Sequence, residues 1–161
     1  MNQFGKLSKL LGWAVFTTGL TVSAWAEETI ESLRSPAPDG ATVYFIEPSD
    51  GAIVSPEFSV KFGLRNMGVS PAGIEKAETG HHHILIDLDE LPDMQFPLPA
   101  TANIKHFGGG QTETVLKLPP GTHRLQLLLA NHLHIPHRPP VMSEAITITV
   151  KAGESHEDHQ H

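Results

Sequence analysis

The sequence predicts an all-β protein, an immunoglobulin-like antiparallel β-sandwich of about seven strands. After residue 41, short runs rich in β-branched and aromatic residues alternate with clusters of Gly, Pro, Asn and Asp. None of these runs shows a sustained helical period, whereas several alternate apolar and polar residues, which is typical of half-buried strands. Short strands separated by turns at this spacing favour a sandwich of two packed sheets.

Six strands are predicted directly, and a seventh, less well defined, lies within residues 89–111. In the second strand, Phe58, Val60 and Phe62 alternate with polar or small residues, so they mark the core face. The six predicted strands cover residues 42–46, 57–64, 81–88, 112–118, 122–130 and 145–151.

The N-terminal segment has the features of a secretory signal peptide. Lys6 and Lys9 form a short positive region, an uncharged and largely apolar stretch follows, and "AWA" (24–26) matches the small-x-small rule for cleavage. A membrane anchor is the alternative, but the apolar run is shorter than the ~20 residues that a spanning helix needs. We therefore expect residues 1–26 to direct export to a periplasm, with Glu27 as the first mature residue and no membrane span after cleavage.

Composition sets the remaining boundaries of the chain. Residues 27–41 are polar and contain prolines, which is typical of a linker, and residues 42–151 form the β-sandwich domain. The last ten residues, 152–161, are polar and rich in histidine, so we expect a disordered tail. Its histidines alternate with acids, a composition typical of weak metal capture or of a solvated tail.

The expected mature chain of 135 residues is acidic, because Lys6 and Lys9 leave with the signal peptide and nine basic residues remain against 18 acidic ones. A net charge of −9 argues against nucleic acid and anionic membranes as partners, and it mildly favours cations. The chain contains no cysteine, which excludes disulfides, thiolate catalysis and thiolate metal sites.

Histidine is the unusual residue of this composition, with eleven in the chain. Seven of them occur in three separate segments: "HHH" (81–83), "KHFGGG" (105–110) and "NHLHIPH" (131–137). Alternate connections of an immunoglobulin-like sandwich emerge at opposite ends, so the strand order brings all three segments to one pole. We therefore predict a histidine cluster there and a site for a metal ion.

The first histidine segment lies on a predicted strand. Residues i and i+2 of a strand point the same way, roughly 6 to 7 Å apart, so His81 and His83 share a face and can hold one metal together. His82 points to the core side, where we interpret it as a buried histidine satisfied by a backbone partner. His123, after the "PPG" turn, is interpreted as a structural residue that hydrogen-bonds across that turn.

The other two segments supply the rest of the predicted site. His132 and His134 repeat the H-x-H spacing, and we expect one site that needs both pairs, because copper(II) and zinc take three or four strong ligands. Binding should fade as the pH falls through ~6.5, where imidazoles protonate. Met67 and Met142 flank the same pole and offer thioether sulfur, which favours copper(I). The candidate ligands are His81, His83, His106, His132, His134, His137, Met67 and Met142.

Three motifs carry a resemblance: "TGHHHILID" (79–87), "HFGGGQTE" (106–113) and "LPPGTHRLQLLLANHLHIPHRPPVMSE" (118–144). With the sequence around them, over residues 38–151, the chain resembles a bacterial exported family defined only as a domain of unknown function. The resemblance implies a small exported β domain and supplies no established activity. The domain is also similar to periplasmic copper carriers with immunoglobulin-like folds, which often use a histidine at the mature N-terminus, where this chain has Glu27.

Three functions remain open from the sequence. The first is a periplasmic metal-binding protein, copper in preference to zinc, that serves as a carrier or buffer and exchanges the ion with another periplasmic protein. The second is an immunoglobulin-like interaction module that binds a protein or glycan through the same loops without a metal. The third is a metalloenzyme, in which three imidazoles leave a position for water or oxygen and Glu113 or Asp87 serves as general base.

Overall fold

The computed structural model describes residues 31–152, and these residues fold into two packed β-sheets. Within this part of the chain, no helix is long and apolar enough to cross a membrane. The ten strands of the described residues are β1 (Thr42–Glu47), β2 (Ile53–Val54), β3 (Glu57–Arg65), β4 (Gly68–Val69), β5 (Thr79–Ile86), β6 (Ile104–His106), β7 (Glu113–Lys117), β8 (Gly121–Ala130), β9 (Pro136–Met142) and β10 (Ile146–Val150).

The smaller sheet has three antiparallel strands in the order β1-β3-β7. The larger sheet has the order β2-β10-β8-β5-β4, and in addition β6 pairs with β5 and β9 pairs with β8. Its central strands, β5 and β8, are antiparallel, with a register that runs from His81 opposite Ala130 to Ile86 opposite Leu125. The C-terminal end of β8 therefore lies beside the histidines at the start of β5.

The main core lies between the two sheets. Alternate residues of the long strands face it, because successive side chains of a strand point to opposite faces. Its buried members from the strands are Val43, Phe58, Val60, Phe62, Ile84, Ile86, Leu116, Leu125, Leu127, Leu129, Val141, Ile146, Ile148 and Val150, and Phe107 joins them from a loop.

A second hydrophobic cluster covers the outer face of the larger sheet. Leu85 and Leu128 of the central strands pack there with Ile104, and the long connection between β5 and β6 adds Met94 and Leu98. Because this connection covers the outer face, every residue of β5 is buried, including those that point away from the main core. Outward-facing histidines of β5 are therefore removed from water as completely as core residues.

Residues 33–37, within the segment that we predict as a linker, pair with β9. The backbone N–H of Ala37 donates to the carbonyl of Arg138, and the N–H of Arg138 donates to the carbonyl of Ser35. The Arg34 guanidinium also donates to the carbonyl oxygen of His137 at 3.0 Å. The described part of this segment thus contributes hydrogen bonds to the strand that follows the histidine-rich loop.

The predicted all-β sandwich is confirmed, and the seventh strand predicted within residues 89–111 is β6. The structure adds three short or proline-rich strands, β2, β4 and β9, so the described residues contain ten strands where we expected about seven. The larger sheet is mixed, because β2 and β4 pair parallel with their neighbours. Two-residue strands carry too short a pattern to be detected by alternation. The predicted signal peptide (1–26) and all but the first residue of the predicted tail lie outside the described residues.

Candidate metal centre

Strand β5 places His81 and His83 side by side on the outer face of the larger sheet. Their ring centroids are 4.8 Å apart, as the period of two predicts. Both side chains are buried, with relative exposures of 0% and 1%. Both imidazoles are buried because the connection between β5 and β6 covers this outer face.

The short strand β6 brings His106 to the same place. His106 lies opposite His83 in the antiparallel pairing of β5 with β6, and its ring centroid is 5.1 Å from that of His83 and 4.9 Å from that of His81. Unlike His81 and His83, His106 is exposed to solvent. A β-carbon added at Gly108 would lie 2.7 Å from Nε2 of His106, so the ring occupies the space that glycine leaves free.

His134 reaches the cluster from a turn and not from a strand. The Asn131 side chain accepts hydrogen bonds from the backbone N–H groups of Leu133 and Ile135, which closes the turn around His134. His134 itself has a positive φ of 66°, a conformation that few residues other than glycine adopt. Its Nε2 lies 3.0 Å from Nε2 of His106, and its ring centroid lies 5.0 Å from that of His81.

Four histidines (His81, His83, His106, His134) form this cluster, and the ring nitrogens of three of them, His81, His83 and His106, are close enough to share one ion. One nitrogen from each of His81, His83 and His106 lies within 4.8 Å of the others. Metal–nitrogen bonds of 2.0–2.1 Å in a tetrahedral site place the ligand atoms about 3.3 Å apart, so these nitrogens must come closer together when an ion binds. The described residues thus contain a group of histidines that could hold a metal ion, as the sequence predicted.

The buried members of the cluster have unpartnered nitrogens. Neither ring nitrogen of His81 has a hydrogen-bond partner, and Nδ1 of His83 has none. A buried polar atom without a partner costs about 1–3 kcal/mol. A cation bound by these two histidines would supply a partner for one nitrogen of each ring.

The two buried histidines are held in the neutral form, which is the form that binds a metal. Burial, together with the charges of the neighbouring His106 and His134, lowers the pKa of His81 to about 4. Burial, followed by the charges of His81 and His106, lowers the pKa of His83 to about 3. The fading of metal binding near pH 6.5 stays a prediction, although the lowered pKa values of His81 and His83 place the protonation of these two side chains well below that pH.

A cavity of about 340 Å³ opens beside the cluster. The imidazoles of His83, His106 and His134 line it together with residues 97–101 and Ile104. The structure thus gives the cluster an open, largely apolar cavity that the sequence did not reveal. The long connection that forms its wall has too many prolines and too little periodicity to be placed by pattern.

His132 and His137 are arranged differently from what the sequence suggested. Residues 132–134 form a turn, so the strand rule that puts i and i+2 on one side does not hold for His132 and His134. His137 is fully buried, with Nε2 3.1 Å from the carbonyl oxygen of Thr79 and Nδ1 3.5 Å from that of Leu129. Its nitrogens therefore face backbone acceptors.

The two candidate methionines lie in the hydrophobic clusters. Met67 packs against the main core, and Met142 packs with Leu85, Ile104 and Leu128 in the second cluster. Packing of this kind is a common role of methionine.

His82 and His123 occupy the positions that we assigned to structural residues. His82 packs on Phe62 with a centroid distance of 4.6 Å, but its ring nitrogens lack the backbone partner that we expected. His123 does hydrogen-bond across its turn: Nε2 lies 2.8 Å from the carbonyl oxygen of Pro119, and Nδ1 lies 2.7 Å from Asp87.

Asn131 and Gly108 support the cluster, and neither was predicted from the sequence as a site residue. Asn131 closes the His134 turn, and it also donates to the carbonyl of Leu33 and to Ser35, which ties the turn to the N-terminal segment. An asparagine directly before a loop is a signal for such side-chain-to-backbone turns. Gly108 makes room for the ring of His106. A glycine two residues after a candidate histidine ligand is the sequence signal for this close approach.

The family model of a domain of unknown function, DUF4399, matches residues 60–151. The chain belongs to this family. The matched segment contains all four clustered histidines, so the candidate centre lies inside the DUF4399 domain. Among curated proteins, no sequence matches the chain.

Among solved structures, the endo-β-1,4-mannanase from Thermotoga petrophila is similar over 70% of this DUF4399 chain, with 16% identity and a TM-score of 0.40. The chain spans 20% of the mannanase chain.

Proposed function

We propose that this protein is an exported, periplasmic metal-binding protein that holds one transition-metal ion, copper in preference to zinc, and acts as a carrier or buffer. The observation that supports the proposal is the cluster of His81, His83, His106 and His134, whose buried nitrogens lack partners. Periplasmic location rests on the signal-peptide pattern of residues 1–26.

A bound ion relieves the unfavourable features of this cluster. One unpartnered nitrogen of His81 and one of His83 gain a ligand bond, and the close approach of His106 to His134 becomes a shared coordination. Because these histidines come from β5, β6 and the turn after β8, the sandwich holds them before the ion arrives. Such a site binds without the folding cost of an unstructured histidine peptide.

The choice of copper rests on the donor set. Imidazole nitrogens bind divalent first-row metals in the order that peaks at copper, and no thiolate is present in the chain to favour another ion. Zinc accepts the same four nitrogens in tetrahedral geometry, so it is the competing ion.

The metalloenzyme hypothesis has less support. Asp87 follows the far end of β5 and is hydrogen-bonded to His123, and Glu113 begins β7 of the smaller sheet. Neither carboxylate lines the cavity at the cluster. Binding and transfer of an ion therefore agree better with this site than acid–base chemistry.

A competition titration tests the proposal. The exported full-length chain, purified without a tag and with His156, His159 and His161 replaced by asparagine, is titrated with copper and zinc against a chelator of known affinity. We expect one ion per chain and a loss of at least about 100-fold in affinity for the His81→Ala/His83→Ala variant. His123→Ala, the matched control, should bind as the parent does. Equal affinity of the parent and the double variant would contradict the proposal and leave the interaction module as the better hypothesis.

A further inference from the structure

We propose that the cavity beside the four-histidine cluster binds a small ligand with an apolar body and one metal-binding atom, so that this ligand completes the coordination of the ion. The proposal rests on the metal binding proposed above. In this proposal the cavity, and not the histidine cluster alone, determines which ligand the site accepts.

The cavity lining contains two chemically different groups of residues. One group is the imidazoles of His83, His106 and His134, and the other is Pro97–Ala100, Thr101 and Ile104. A volume of about 340 Å³ lies within the range of small-molecule sites. A ligand that fills it would place one atom against the histidines and the rest of its surface against aliphatic carbon.

The apolar side is anchored in the fold. The backbone N–H of Leu98 donates to the carbonyl oxygen of His134 at 2.9 Å. The Leu98 side chain packs against the cluster of Leu85, Ile104 and Leu128, and Ile104 is 7% exposed. The wall and the His134 turn are therefore held together, which is what a preformed ligand site requires.

The charge of the cavity restricts the ligand further. Its lining contains no carboxylate and no ammonium or guanidinium group. An ion held by neutral imidazoles keeps its positive charge in this apolar setting, where electrostatic interactions are stronger than in water. A neutral or anionic donor atom is therefore favoured, and a cationic ligand is excluded.

The geometry also leaves an approach to the ion. His81 lies fully buried and is not part of the cavity lining, whereas His83, His106 and His134 meet the cavity. An ion among these four rings therefore faces the cavity on one side. Copper(II) accepts additional ligands beyond a set of nitrogens, and zinc can expand to five ligands.

Two probes test the proposal: imidazole, which supplies only the donor atom, and 4-phenylimidazole, which adds an apolar body. Each is titrated into the copper(II)-loaded full-length protein and followed by electron paramagnetic resonance, while ultrafiltration verifies that copper stays with the protein. We expect 4-phenylimidazole to bind at least about tenfold more tightly, because the cavity buries its phenyl ring.

Variants locate the binding. Ala100→Trp and Thr101→Trp fill the cavity from its exposed rim, and each should abolish the preference for 4-phenylimidazole while copper affinity stays within about threefold. Val115→Trp, an exposed position on the other sheet, is the control and should keep the preference.

Failure of this proposal differs from failure of the metal site. Equal affinity for the two probes, or a preference that survives both filling variants, would overturn the ligand site although copper binding remains. A parent protein that binds no copper would overturn the proposed function and this inference with it.

Discussion

Histidines at the two ends of β8 have opposite environments. His123, near its start, has an acceptor at each ring nitrogen, Asp87 on one side and the Pro119 carbonyl on the other. The cluster beyond its end contains His81, which has no acceptor at either nitrogen. Seven residues of strand, about 23 Å, separate His123 from Ala130 beside the cluster.

The difference is visible in the protonation of the two kinds of histidine. Burial alone would lower the pKa of His123, but the hydrogen bonds to Asp87 and Pro119 and the charge of Asp87 outweigh it and raise the pKa. In the cluster, burial and the neighbouring imidazoles both lower the pKa of His81. His123 is thus suited to be a structural cation, and the cluster is suited to receive one.

The largest expected effect comes from breaking the cluster itself. His81→Ala and His134→Ala should each weaken copper binding by about 100-fold, because either change removes a ligand of one shared site. The double variant should lose much less than the product of the two, since the first change already destroys the site. Competition titration measures both.

His132→Ala is the matched control for this prediction, because His132 lies two residues from His134 in the same turn. It should change the affinity by less than about threefold. A loss as large as that of His134→Ala would show that His132 is a ligand after all.

The next effect concerns acid stability and His82. Burial lowers its pKa to about 4. The unfolded chain therefore protonates His82 near pH 6.5, whereas the folded protein protonates it only near pH 4. The free energy of unfolding consequently falls as the pH drops from 6.5 to 4. At pH 5 the cost is about 2 kcal/mol.

Urea denaturation at pH 7 and pH 5 measures this cost. His82→Leu keeps an apolar contact with Phe62 and removes the titrating group, so the variant should lose about 2 kcal/mol less than the parent between the two pH values. An unchanged pH dependence in the variant would mean that His82 is not the group that titrates.

A smaller effect follows from the glycine beneath His106. Gly108→Ala adds a β-carbon that would lie 2.7 Å from Nε2 of His106, so the ring must move. We expect copper affinity to fall by about tenfold with the fold intact, since a displaced ligand is weakened and not removed. Gly109→Ala, whose added carbon would meet only the exposed Gln111 side chain, is the control. Equal copper affinities of the two variants would mean that His106 is not a ligand of the ion.

The smallest effect belongs to His123. Its raised pKa stabilises the fold fully below pH 6.5, and this stabilisation is lost as the pH rises through the folded-state pKa. Because the Asp87 side chain is 39% exposed, solvent screens the pair, and we expect His123→Ala to cost only about 1 kcal/mol at pH 6. Thermal denaturation at pH 6 and pH 9 should show the difference between parent and variant shrinking at the higher pH. A difference that grows with pH would contradict a protonated His123.

The parts of this account that the sequence predicts are those that rest on strand periodicity and strand order. Alternation separates His81 and His83 from His82, and the order of strands brings His106 to them. The choice between His132 and His134 could not be predicted, because Asn131 and a positive φ at His134 replace the strand geometry with a turn. The cavity beside the cluster could not be predicted either. Its lining depends on how Leu98 packs against the sheet, and such a contact leaves no pattern in the local sequence.

X-ray absorption spectroscopy of the protein loaded with one equivalent of copper(II) tests the central claim most directly, because it reports the atoms bound to the ion. We predict three or four nitrogen neighbours at about 2.0 Å with the outer-shell pattern of imidazole. The same spectrum is expected from His123→Ala, and its imidazole features should be lost in His81→Ala/His83→Ala. A first shell dominated by oxygen, or an imidazole pattern that persists in the double variant, would contradict the assignment of the four-histidine cluster as the metal site.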